Sequence, residues 1–159
     1  MVEDATFEDG AERPLRLKAQ SADDLKVMAS LVQDSVLSVS EIKWQRQKRR
    51  FALLLNRFRW EDRHAAAQRG RDFERVRSVL AFDDVKSVQS QGIDPTDKEV
   101  VLSLLTISYS ARDDAAGRIE LTFAGDGALA LDVESIEVTL QDVTRPYVAP
   151  SGRVPDHPE

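Results

Sequence analysis

The run from Arg49 to Trp60, Arg-Arg-Phe-Ala-Leu-Leu-Leu-Asn-Arg-Phe-Arg-Trp, limits the fold more than any other stretch of the chain. Side chains alternate between the faces of an extended chain, so apolar residues at both parities from Phe51 to Leu55 predict a strand covered on both sides and lying inside a sheet. After Asn56 the pattern becomes one-sided, with Phe58 and Trp60 expected on the covered face and Arg57 and Arg59 turned to water. Odd-numbered leucines giving way to even-numbered aromatics also suit a β-bulge near Asn56, where one extra residue re-aims the side chains.

Around this strand the chain reads as an α+β domain, mostly antiparallel sheet. Residues 1–13 form an acidic arm expected to be poorly ordered, 14–145 a single domain, and 146–159 a proline-rich tail expected to be extended. Leu15 and Leu17 alternate with Arg16 and Lys18 as a short half-buried strand. Leu25, Met28, Leu31 and Val32 recur at helical spacing, which predicts a helix over 21–34 that packs into the core. Ser21 is its expected N-cap, and Asp23 and Asp24 sit where the helix dipole favours them. A strand over 36–44 should fold back through the polar Gln45–Lys48 loop onto the central strand. A loop without periodicity follows over 61–72.

Val76, Leu80 and Phe82 mark a strand ending at Asp83-Asp84, and 85–90 is expected to be its return partner. Val100 to Tyr109 repeats the two-faced pattern as far as Leu105 and should be another interior strand. The clearest hairpin joins Ile119, Leu121 and Phe123 to Leu129, Leu131 and Val133 through Gly125-Asp126-Gly127. Over 135–144 both periods fit. A helix is favoured because Ser135 could cap it.

The chain has 159 residues, 42% hydrophobic and 31% charged, enough to bury a core without disulfides or metal. No window approaches ~18 apolar residues, so nothing is expected to span a membrane. The acidic start is the opposite of a secretory signal, and the lack of cysteine suits the cytoplasm while removing any thiolate nucleophile or ligand. Net charge is −6, unevenly spread. Between Lys43 and Arg77 there are 12 basic and 4 acidic residues; the remainder holds 10 basic and 24 acidic. Such a split implies either a basic face for an anionic partner or pairing of the two parts within the fold, and local neutralisation is favoured.

No pattern of catalytic, cofactor-binding or metal-ligating residues emerges. His64 and His157 lack neighbouring ligands, no Gly-x-Ser-x-Gly turn is present, and Gly125-Asp126-Gly127 joins two strands rather than opening a helix. The acidic pairs at 23–24, 83–84 and 113–114 fit helix starts and turns, and the spacing of Asp83 and Asp94 matches no calcium loop. Arginines and lysines interleaved with Phe and Trp leave a candidate partner-binding patch of Arg46, Lys48, Arg49, Arg57 and Arg59, with Trp44 and Trp60 as its only candidate stacking rings.

The runs Arg49–Glu61, Val76–Val85, Ser90–Ile93, Val101–Leu105 and Asp142–Tyr147 together resemble domain-of-unknown-function family 2948. These are short bacterial proteins found chiefly in alphaproteobacteria, and the likeness covers roughly 15 to 156. Members tend to be encoded near histidinol dehydrogenase, so the resemblance implies a bacterial housekeeping setting, and no activity, cofactor or site residue to carry over. The expected function is therefore a non-enzymatic cytoplasmic domain that binds a protein partner. One alternative is a small-molecule-binding protein or enzyme with a dispersed pocket, which needs at least roughly 300 Å³ lined by convergent polar groups and carboxylates raised by burial. The other is weak nucleic-acid binding through 43–77.

Overall fold

The computed structural model describes residues 14–62 and 74–148. The acidic arm, most of the 61–72 loop with His64, and the tail from 149 with His157 lie outside the described residues.

Strand β1 (Arg16–Ala19) leads into helix α1 (Ala22–Val32). Ser21 Oγ accepts the Asp24 amide at 3.1 Å, and Asp24 Oδ2 accepts the Gln20 amide at 3.1 Å, which caps the helix on both sides of its first turn. Leu25, Met28 and Val32 are buried in the core, as their spacing requires. Where one strand was expected over 36–44 there are two, β2 (Val36–Ser38) and β3 (Ile42–Gln45), separated by a 3₁₀ turn at Val39–Glu41. The Ser38 amide donates to Glu41 Oε1 at 2.9 Å and holds that turn.

Strand β4 (Arg50–Phe58) is interior, flanked by β5 (Glu74–Phe82) on one side and by β3 and then β2 on the other. Its register with β5 runs unbroken from Phe51↔Phe82 to Phe58↔Arg75, so there is no bulge at Asn56. Unbroken parity has two consequences. Leu53 and Leu55 face inward at 0% exposure, while Leu54 lies on the outer face and is only half-buried. Arg57, expected in water, follows the leucines onto the inner face and is buried.

On the other edge of β5 lies β10 (Val138–Asp142), paired from Val138↔Phe82 to Asp142↔Ser78, with β1 beyond it. This corrects the helix favoured over 135–144. Alternate burial of Val138, Leu140 and Asp142 satisfies the strand period, and Ser135 Oγ donates to Asp84 Oδ2 at 3.0 Å instead of capping a helix. The start of the tail adds β11 (Tyr147–Val148), paired with Glu74 and Arg75.

The second half of the sheet comprises β6 (Val85–Gln91), β7 (Val101–Ala111), β8 (Gly117–Phe123) and β9 (Ala128–Val133). Strand β6 pairs with β9 and not with β5, whose two edges are already taken by β4 and β10. Asp84, at φ 58°, turns the chain away from β5 into this half. The break in register expected at Asn56 occurs instead in β7, between Leu104 and Thr106. It keeps Leu104 and Ile107 inside while leaving Leu105 exposed, and Val101 is 67% exposed, so β7 is interior to the sheet but covered on one face only. The β8–β9 hairpin turns as expected, with Gly125 (φ 83°) and Asp126 (φ 73°) both in the positive-φ region such a tight turn demands.

The described residues form one 11-stranded sheet in the order β1-β10-β5-β4-β2-β7-β8-β9-β6, with β3 and β11 off that path. β2 joins the halves by pairing with both β4 and β7. Inner faces of both halves and the apolar side of α1 form one hydrophobic cluster. No described helix is long and apolar enough to cross a membrane.

Candidate functional site

The five basic residues singled out in the sequence do not form one surface. Arg46 and Lys48 lie on an exposed 3₁₀ turn between β3 and β4, and Arg49 follows in the left-handed region at φ 55°. Arg49 pairs with Glu134, which follows β9 in the other half of the sheet, and the neighbouring Arg50 pairs at 2.8 Å with Asp83, which follows the adjacent strand β5. Arg46 and Lys48 carry no salt bridge among the described residues. Arg57 and Arg59 are 0% and 4% exposed.

Arg57 anchors a buried ionic network. On the inner face, Ser78 of β5 stands directly opposite Asp142 of β10 on one side and Leu55 of β4, two residues before Arg57, on the other. Ser78 Oγ donates to Asp142 Oδ1 at 2.6 Å, Arg57 Nη2 reaches the same oxygen at 3.0 Å, and Arg57 Nε donates to Ser78 Oγ at 3.0 Å. The far side of the guanidinium is taken by Glu61, with Nη1 and Nη2 donating to its two oxygens at 2.9 and 2.8 Å. Asp142 Oδ2 also accepts the Leu15 amide at 2.8 Å, tying β1 to the network. Arg59 Nη1 donates to Glu74 Oε1 at 2.6 Å.

Burial alone would push the Glu61 carboxyl up, but the hydrogen bonds and charge of Arg57 outweigh it and hold the group below its usual range. Burial likewise opposes the charge on Arg57, and Glu61 and Asp142 outweigh it. Glu41 and Asp132 show the same balance, lowered by the Ser38 amide with Arg77 and by Ser87 with Arg118 respectively. Every described carboxyl with a shifted ionisation is shifted down. Asp83 is engaged by Arg50, and Asp94 accepts from Thr96; no group of three or more metal-ligating side chains occurs among the described residues.

A second feature lies where the two halves of the sheet meet without pairing. Among the described residues β3 pairs only with β4 and β6 only with β9, so each presents a free edge. At one end these edges are pinned by the Val85 amide donating to Arg49 O at 2.9 Å; at the other the loop after β6 returns to the turn before β3, with Ser40 N–H donating to Lys98 O at 3.1 Å. Between them opens a groove of about 290 Å³. Ile42, Trp44 and Phe51 form one bank and Val88, Ser90 and Leu129 the other, with Ile93, Pro95 and Lys98 of the loop completing the wall. The Trp44 and Phe51 rings pack at a 6.3 Å centroid distance. Trp60, the other candidate stacker, is committed elsewhere: its ring meets Phe58 edge-on at 4.6 Å and its Nε1 donates to Gln33 O at 2.9 Å.

Sequence reasoning marked Trp44 but missed the rest of the groove, because its banks come from four strands and a loop. It equally missed Asp142, which lies 85 positions from Arg57. The first sign of both is in pairing order, which one sequence does not display.

These features define a β-rich α+β domain whose basic segment is neutralised in part by internal ion pairs and whose sheet has an open seam. The chain belongs to the family described as "Protein of unknown function (DUF2948)", which matches residues 15–157. No curated protein and no solved structure matches it.

Proposed function

We propose that this chain is a non-enzymatic, protein-binding domain of the bacterial cytoplasm that takes an apolar segment of its partner into the groove between β3 and β6. The observation that carries the reading is the groove itself, open, apolar on both banks and walled by a half-buried Trp44. Its volume lies just under the range of pockets that enclose small-molecule ligands, roughly 300–1,000 Å³, and suits a few side chains of a larger partner. Among the described residues the only titratable group on its wall is Lys98, which supports binding better than acid–base catalysis. A cysteine-free sequence suits the cytoplasmic setting.

A photo-crosslinking residue in place of the exposed Ser90, expressed in the source cell, tests this. The expected result is a protein captured from position 90 but not from Lys26 on the exposed side of α1, and whose binding in purified form is lost when Val88→Glu charges the groove. Equal capture from both positions, or unchanged binding by the variant, would sink the reading. A metabolite screen giving a clear thermal shift that Val88→Glu abolishes would replace it with the small-molecule alternative.

Nucleic-acid binding gains no support from the geometry. Two of the five basic residues are buried in ion pairs and a third is paired with Glu134.

A further inference from the structure

The groove is bounded by strand edges as well as by apolar side chains, and this bears on what form an occupant takes. We infer that the partner segment adds to the free edge of β6 as an extended strand, and that it carries an acidic residue at the end facing Arg46 and Lys48; this rests on the protein-binding reading above.

A free edge exposes a row of backbone N–H and C=O groups, and proteins usually blunt such rows with lysine, proline or a bulge. In β6 the irregularity and the one charge, Lys86, both fall at the pinned end, between Val85 and Ser87. The rest of the edge, Ser87-Val88-Gln89-Ser90-Gln91, holds no charge and no proline. Its five residues are close to the usual strand length of about 5–6. A strand laid there places alternate side chains into the groove toward Trp44 and Leu129, and the backbone supplies the remaining attraction. A helix is about 10–12 Å across with its side chains and brings no free backbone groups to satisfy the edge.

Charge sets the expected direction of recognition. Arg46 and Lys48 follow directly on β3, exposed and without salt bridges among the described residues, whereas Arg49 and Arg50 are neutralised by Glu134 and Asp83. At the other end Lys98 stands among Asp94, Asp97 and Glu99. An acidic side chain is therefore favoured only at the Arg46 and Lys48 end.

The test uses isotope-labelled full-length protein and three synthetic peptides sharing a Val-Thr-Val-Thr-Val core. One is flanked by aspartates, one by lysines, and one is aspartate-flanked and N-methylated at alternate residues so that it cannot pair. The expected result is slowed hydrogen exchange at alternate amides of Ser87–Gln91 with the first peptide alone, and affinity reduced about tenfold or more by Arg46→Glu with Lys48→Glu. Equal binding of the N-methylated peptide, or shifts at Trp44 and Val88 without alternate-amide protection, would overturn strand addition while leaving the groove as the binding site. No binding by any peptide would also overturn it. Failure of the protein-binding reading would be visible separately, as equal crosslinking from positions 90 and 26.

Discussion

Among the described residues Arg57 is the largest side chain to be shut away from water, and its cost of burial is offset because two carboxylates and a serine take up its donors. Removing one partner from a buried pair leaves the other charge uncompensated, which typically costs about 3–5 kcal/mol, more than the pair adds over apolar residues of similar shape. Asp142→Ala should therefore lower the urea midpoint severely. Arg57→Met combined with Asp142→Leu should be milder than the sum of the single losses; an additive result would show that the two do not act as a pair. Acid should act through the same site. Because the Glu61 carboxyl is lower in the folded state than its ordinary value, its contribution is complete above the unfolded value of about 4.3 and is lost as pH falls through the depressed one. Glu41, paired with Arg77, adds in the same sense. Stability is expected to fall as pH drops below about 5, and Glu61→Gln should make that fall shallower; an unchanged acid slope would remove Glu61 from the account.

At the level of elements, β4 was legible because five consecutive apolar residues leave no other place for it than inside a sheet. The parity of its C-terminal half was not, since Leu53-Leu54-Leu55 fits either face and the acids that receive Arg57 belong to other elements. The same ambiguity hid β10. Ile136, Val138 and Leu140 fit a strand as well as a helix, and the deciding fact, that β5 has an open edge there, is a property of the sheet. By contrast α1 and the β8–β9 hairpin carry their signals locally, in Ser21 and in Gly125-Asp126, and both formed as expected. The outward turn of Leu54 has a measurable consequence. Leu53→Ala should cost about 2–5 kcal/mol in urea unfolding and Leu54→Ala clearly less, whereas equal losses would contradict the unbroken register with β5. Gly92 offers a second check on the groove wall. Its φ is 71° and an added Cβ would stand 2.9 Å from Asp126 O, so Gly92→Ala should destabilise by roughly 1–3 kcal/mol.

Across the described residues, the uneven charge along the chain is partly resolved by folding. Arg49, Arg50, Arg57 and Arg77, all from the basic segment, meet Glu134, Asp83, Asp142 and Glu41 from the acidic remainder. Of the five residues that composition put forward for phosphate contact, Arg46 and Lys48 remain exposed and without salt bridges among the described residues. Two phosphate contacts give a slope of log affinity against log salt no steeper than about −1.4 for single strands or −1.8 for duplex, which is too shallow for tight binding. The acidic remainder should repel a polyanion from most directions of approach. Mixed single-stranded RNA and duplex DNA, titrated at ~50 and ~200 mM salt, should therefore bind weakly or not at all, and Arg46→Glu with Lys48→Glu should abolish whatever is seen without moving the urea midpoint. The variants Arg57→Glu and Arg59→Glu cannot serve that purpose, because each puts a carboxylate where a buried cation already balances others and so reports on folding. Tight low-salt binding with a slope well beyond −1.8 would demand further exposed cations and would return nucleic acid to the leading place.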